Sequence, residues 1–227
     1  MTRPLLVLLA LAVMAPPAAA QSRPSAPARP ARPPAQRRVE LGIGGGVAGG
    51  LSLGSRDASL TSNNTSGSPF RLFSTDTTLA PAAVLEGRLG YRLTPRFTLD
   101  GTITIGRPEL TTSLSADAES APSVDATERV TEYVVTGGVS WRLTRNTRRR
   151  WIPFVSGGAG VARHVHDGQS LIESGVDTYF GGGVLRQLSP RTGVRADGRL
   201  HLLRGGLAEG AGVTPRGALT GSIFVTF

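Results

Sequence analysis

The chain has 227 residues and a formal charge of +9 from 25 basic and 16 acidic side chains, and every basic side chain is arginine. The absence of lysine excludes a Walker A phosphate loop and Schiff-base chemistry. The absence of cysteine excludes disulfides, thiolate nucleophiles, Cys-ligated metal and a lipid-anchored cysteine. With 30 Gly and 18% charged residues, the chain is too apolar to be disordered throughout and too glycine-rich to be mainly helical.

In chain order, residues 1–20 combine Arg3, an apolar run from Leu5 to Ala15 and a small-residue stretch ending Ala18-Ala19-Ala20. The run is too short to span a bilayer as a helix and predicts a secretory signal peptide cut before Gln21. Residues 21–38 are rich in proline and arginine and contain no acid. They predict a disordered, extended tether rather than a domain. From Val39 to Phe227 the dominant signal is period-2 alternation over eight segments: 39–53, 79–93, 97–107, 129–143, 151–166, 176–188, 193–204 and 215–227. In 97–107, for example, Phe97, Leu99, Ile103 and Ile105 oppose Thr98, Asp100, Thr102 and Thr104. Short turns are expected around 94–96, 144–150 and 189–191, and polar loops at 54–78, 108–128, 167–175 and 205–214. The turns share a weak repeat, Leu93-Thr94-Pro95-Arg96 against Leu188-Ser189-Pro190-Arg191, which marks a meander of hairpins.

Eight alternating strands close either as a soluble barrel, apolar face inward, or as a membrane barrel, apolar face to lipid. The polar face decides between them. It carries Glu40, Glu86, Arg88, Asp100, Glu132, Asp177, Arg195, Asp197, Arg199, His201 and Arg216 among many Gly, Ala, Ser and Thr residues. Small residues and opposite charges suit the narrow interior of an eight-stranded barrel, where Arg–carboxylate pairs satisfy one another. Tyr91, Phe97, Trp141, Trp151, Phe154, Phe224 and Phe227 lie at the short-turn or terminal ends of their strands and predict one interfacial girdle, with Tyr133 and Phe180 marking the other. The expected fold is all-β, an eight-stranded antiparallel up-and-down transmembrane β-barrel over 39–227, with short turns in the periplasm and long loops outside.

The chain resembles the small eight-stranded outer-membrane barrels, the OmpA-like transmembrane domain and OmpX-like family. The residues that carry the resemblance are 151–161 (WIPFVSGGAGV), 181–199 (GGGVLRQLSPRTGVRADGR) and the terminal Ile223-Phe224-Val225-Thr226-Phe227. It implies that Ile223, Val225 and Phe227 form the C-terminal signal read by the barrel-assembly machinery. Ser222 stands where the usual glycine of that signal falls.

Gly44-Gly45-Gly46-Val47-Ala48-Gly49 satisfies G-x-G-x-x-G, but a dinucleotide site needs a helix next, whereas alternation here continues to Leu53. His164 and His166 share a strand face, with Asp167 and Asp177 as candidate neighbours. They are candidates for a metal site or for a His-centred lipid-modifying site, against a bland role as hydrogen-bonded lumen or rim groups. Arg142, Arg145, Arg148, Arg149 and Arg150 are expected to meet anionic headgroups. Residues 108–128 contain Glu109, Asp117, Glu119, Asp125 and Glu128 without a base, an acidic outer rim. No catalytic residue and no cofactor is assigned. The expected function is structural or surface-interacting, with a lumen closed by the charged network. Outer-membrane lipid and the assembly machinery are the expected partners, nucleic acid is not one, and the chain is expected to be monomeric. A lipid-A-modifying enzyme and a small channel are the alternatives.

Overall fold

A computed structural model describes residues 38–60, 70–115, 122–144, 151–167, 171–208 and 212–227. The expected signal peptide and, apart from Arg38, the tether lie outside the described residues, as does most of the 144–150 turn. Eleven strands follow in order: β1 (Val39–Ala48), β2 (Leu51–Leu60), β3 (Phe70–Leu79), β4 (Ala82–Arg92), β5 (Phe97–Gly106), β6 (Glu109–Ser115), β7 (Val124–Arg142), β8 (Ile152–His166), β9 (Ile172–Gln187), β10 (Thr192–Gly205) and β11 (Val213–Thr226). A 3-10 turn at Gly206–Ala208 follows β10.

Eight of these strands close a ring by antiparallel pairing, β1-β4-β5-β7-β8-β9-β10-β11 and back to β1. The closing seam runs from Glu40 opposite Thr226 to Ala48 opposite Ala218. Period-2 geometry then separates the faces: Leu41, Ile43, Leu85, Leu89, Ile103, Val135, Val161, Val176, Leu219 and Ile223 are exposed on the outside, while Glu86, Asp100, Glu132 and Asp177 are buried inside. A continuous apolar outer face around a closed ring is a membrane-spanning surface.

The remaining strands correct the expected loops at 54–78 and 108–128. β2, β3 and β6 pair in the order β2-β3-β6-β7 with the first part of β7, forming a second sheet beyond the loop end of the ring. Both faces of this sheet are largely accessible, so its sequence carries no apolar period, and only its Thr-rich composition marked it as strand.

The two sheets join where three wall strands break at one level: Gly49-Gly50, Ala80-Pro81 and Arg107-Pro108. The amide of Ala80 donates to the carbonyl of Glu109 (2.8 Å) and that of Val130 to Pro108 (3.1 Å), which ties the breaks together. The first two reverse the side-chain alternation. Leu51, Leu53 and Leu79, expected on the lipid face, turn inward instead. Leu51 and Leu79 are 5% and 2% exposed and pack with Ala162 and Leu203.

The girdle also needs correction. Tyr91, Phe97, Trp141, Trp151 and Phe227 are exposed at the short-turn end, and Phe97 stacks on Trp141, its cross-strand partner, at 6.0 Å. Phe154 and Phe224 are buried in the lumen, on the same alternation as Ser156 and Ser222. Tyr133 and Phe180 are exposed. The repeated Leu-Thr/Ser-Pro-Arg motif is a turn capped by a hydroxyl. Thr94 Oγ1 accepts from the amides of Arg96 (3.2 Å) and Phe97 (3.0 Å), and Ser189 Oγ accepts from those of Arg191 (3.2 Å) and Thr192 (3.0 Å).

The outward face yields a test. Ile103→Arg, at the middle of β5, should cost about 2–4 kcal/mol in reversible unfolding from phospholipid vesicles. An exposed position on a soluble barrel would change by less than about 0.5 kcal/mol.

Candidate functional site in the lumen

The lumen is built in layers. At the short-turn end Ile152, Phe154, Leu185 and Phe224 form an apolar cluster. Phe154 lies opposite Gly183 and Phe224 opposite Gly193, and a Cβ at either glycine would collide with the ring. The Arg195 guanidinium sits 3.8 Å from the centre of the Phe154 ring. Beside this cluster Glu40 Oε1 accepts from both Arg92 and Arg142, the latter at 2.8 Å. Arg142 therefore points into the barrel and not at headgroups as expected. Arg145, Arg148, Arg149 and Arg150 lie outside the described residues.

The central layers hold three carboxylates and three arginines. Arg88 donates to Asp100 from Nε (3.2 Å) and contacts its other oxygen from Nη2 (2.8 Å), and the Ser140 hydroxyl donates to the same carboxylate. Arg195 grips both oxygens of Asp197 (2.6 and 2.8 Å), while Arg88 and Arg199 flank that carboxylate at 3.6 and 3.7 Å. Arg199 is bidentate on Glu86 at 2.7 and 3.1 Å. Such fork-on-fork pairing satisfies most donors of a guanidinium that has lost its water.

Toward the loop end, Arg216 Nη1 donates to both Glu132 oxygens at 2.6 Å, and its Nε donates to the carbonyl of Gly49 at 2.7 Å. His164 Nε2 lies 3.2 Å from Glu132 Oε1, His166 Nδ1 3.1 Å from Glu128 Oε2, and His201 Nδ1 2.8 Å from Asp177 Oδ2. Asp177, expected beside the paired histidines, instead serves His201, which also packs on Tyr179 (5.7 Å between centroids). Leu51, Leu79, Ala162 and Leu203 then cover this layer, joined by Leu53, Leu110, Val134 and Leu207. Beneath them, a cavity lined by Glu86, Glu132, Asp177, Arg199, His201 and Arg216 offers about 40 Å³ to the centres of water molecules. That is room for a few bridging waters and no more.

All eleven residues read from the sequence as a lumen network face inward; ten are buried and His201 is partly buried. The sequence reading missed Arg92 and Arg142 as partners of Glu40, Ser140 as a donor to Asp100, and Glu132 and Glu128 as the partners of His164 and His166. Their positions on the inward alternation were the available signal. Ile223 lies exposed on the outer face of β11 and Phe227 just past its end, with Val225 partly covered between them.

The Glu86–Arg199 pair predicts an asymmetric response. Glu86→Gln leaves the buried Arg199 with only Asp197, 3.7 Å away and already gripped by Arg195, and should cost about 3–5 kcal/mol, whereas Glu86→Gln combined with Arg199→Met should recover most of that loss. Urea unfolding of the refolded barrel in vesicles measures both.

No protein-family model matches the chain, and no curated protein matches it in sequence. Among solved structures, Neisserial surface protein A shares 13% identity over 82% of this chain and 97% of its own, with a TM-score of 0.51. OprG from Pseudomonas aeruginosa shares 10% identity over 84% and 97% (TM-score 0.47). Ail of Yersinia pestis, in a complex with a heparin analogue, shares 16% over 84% and 99% (TM-score 0.45). At these identities the likeness speaks to fold alone, and the TM-score of the first exceeds 0.5. The described residues between Val39 and Phe227 fold as a small eight-stranded antiparallel β-barrel with a membrane-spanning outer face, the fold of Neisserial surface protein A.

Proposed function

We propose that the chain is a structural or surface-interacting protein of the outer membrane, and neither a pore nor an enzyme. The observation that carries this reading is the filled lumen. Two apolar clusters bracket a set of buried ion pairs, and the remaining cavity admits only a few waters. Ion conduction needs a continuous wet path, and the His164–Glu132 pair is buried, its side chains 5% and 4% exposed, where a lipid substrate would have to displace packed side chains to reach it.

Among the described residues, the second sheet is available to partners, where Leu60, Phe70 and Val124 are exposed together with Arg56, Asp57 and Arg71. A mixed apolar and charged face raised above the membrane suits contact with other envelope or surface components. In the same reading the barrel acts as a monomer embedded in outer-membrane lipid, and Ile223, Val225 and Phe227 present the assembly signal to the barrel-assembly machinery.

The test combines three measurements. Outer-membrane fractionation with heat-modifiable gel mobility is expected to place a folded barrel in that membrane. Planar-bilayer recording should show no stable conductance of porin size. Trypsin added to intact cells should cut the second sheet at Arg56 or Arg71. A steady porin-sized conductance, or recovery of the chain as a soluble periplasmic protein, overturns the proposal.

A further inference from the structure

The lumen charges balance overall but not layer by layer. In the centre, Glu86, Asp100 and Asp197 meet Arg88, Arg195 and Arg199 one for one. At the short-turn end, Glu40 is the one described carboxylate ion-paired with both Arg92 and Arg142, while the neighbouring Asp100 is already matched by Arg88. One full positive charge is left there, and Arg142 is 95% buried, so water does little to screen it. The other described charges at this end, Arg38, Arg96, Arg186 and Arg191 in the turns and strand ends, are all positive. Both Arg92 Nε and Arg96 Nε are buried without a hydrogen-bond partner.

The guanidinium groups of Arg92 and Arg142 open onto a cleft of about 370 Å³ shared with Gln187 and Ser189 over the apolar floor of Ile152. Leu188, which lines the same cleft at its rim, is exposed, and Trp151 and Trp141 are exposed at the same end. The cleft therefore lies at headgroup depth, where phosphate is the abundant anion. We propose that this cleft is a binding site for a phosphate group, supplied by a phospholipid headgroup or by free phosphate. A singly charged phosphate diester cancels the surplus left by Glu40. Its oxygens accept from the N–H groups of Arg92 and Arg142 that Glu40 does not use, and the Gln187 amide adds a neutral donor.

The site reads out in two opposite directions. The purified full chain, folded in an uncharged detergent, is titrated by calorimetry with dihexanoyl phosphatidylglycerol below its micelle concentration and, separately, with inorganic phosphate. Arg92→Gln should weaken binding about tenfold, the loss of one charge-assisted hydrogen bond. Glu40→Gln removes the competing carboxylate and should tighten it several-fold. Arg191→Gln, at an exposed arginine outside the cleft, should leave it unchanged. Each variant is first checked for heat-shifted gel mobility. Binding of the lipid alone assigns the site to a headgroup, and equal or stronger binding of inorganic phosphate assigns it to the free anion. The proposal fails if neither probe saturates, if Arg92→Gln and Glu40→Gln leave binding unchanged, or if Arg191→Gln weakens it as much as Arg92→Gln.

Discussion

Every feature of this barrel depends on one constraint: a ring of eight strands with its outer face given to lipid has only a narrow interior in which to place its charges. A lone charge there would carry a desolvation penalty of several kcal/mol, so each must find a partner within reach. Glu40, Glu86, Asp100, Glu132 and Asp197 meet Arg88, Arg92, Arg142, Arg195, Arg199 and Arg216 inside the bore, and Asp177 meets His201. Pairs such as Arg199 with Glu86 join β10 to β4, strands far apart in the ring order. Because a well-packed apolar filling would be about as stable, such cross-links act mainly on register and shape. A one-residue slip of β10 would turn Arg195, Asp197 and Arg199 toward lipid together.

The apolar clusters at the two ends make the pairing effective. With water kept out, attraction between the ions weakens less than it would in an open channel. The loop-end cluster exists only because the wall breaks at Gly49-Gly50 and Ala80-Pro81. Proline lacks a ladder donor, and a glycine pair lets the chain turn where a Cβ at Gly50 would crowd the carbonyl of Leu79 and the ring of Pro81. Those two breaks reverse the alternation and swing Leu51 and Leu79 from the lipid side over the lumen. The same bend that lifts β2 and β3 away as an external sheet thus supplies the lid, so closure and the raised surface share one cause.

Most of the ring was legible in the sequence because one face of each strand meets lipid and the other meets the lumen, which imposes a clean period of two. The second sheet was not, since Ser74, Thr75 and Thr77 are half-buried polar side chains bonded to Asp57, the Arg56 carbonyl and Thr112 on the neighbouring strands, and they leave no such period. Leu51 and Leu79 misled for a related reason: alternation counted through a break assigns the wrong face. Phe154 and Phe224 were misread by weighting residue type above alternation, because aromatic residues near strand ends usually sit at the interface. Their alternation with Ser156 and Ser222 already placed them inside. The partners of each arginine depend on which strands face each other across the bore, and no pattern along one strand encodes that.

Glycine content, which first argued only against helix, has a specific meaning in the folded chain. Large inward side chains sit beside glycines on the next strand. Tyr179 lies over Gly158 and reaches Gly138, Phe154 covers Gly183, Phe224 covers Gly193, and the stem of Arg199 passes Gly181. A Cβ at Gly158 would press against the Tyr179 ring, so the neighbour must be empty for the ring to lie flat along the wall. In a bore this narrow, volume is allotted per layer, and one long side chain excludes another at the adjacent position. Aromatic rings laid over glycine also shield the backbone hydrogen bonds that a bare glycine exposes. These glycines and the inward arginines are therefore two halves of one packing solution: long planar groups reach across the lumen, and side-chain-free wall makes room for them.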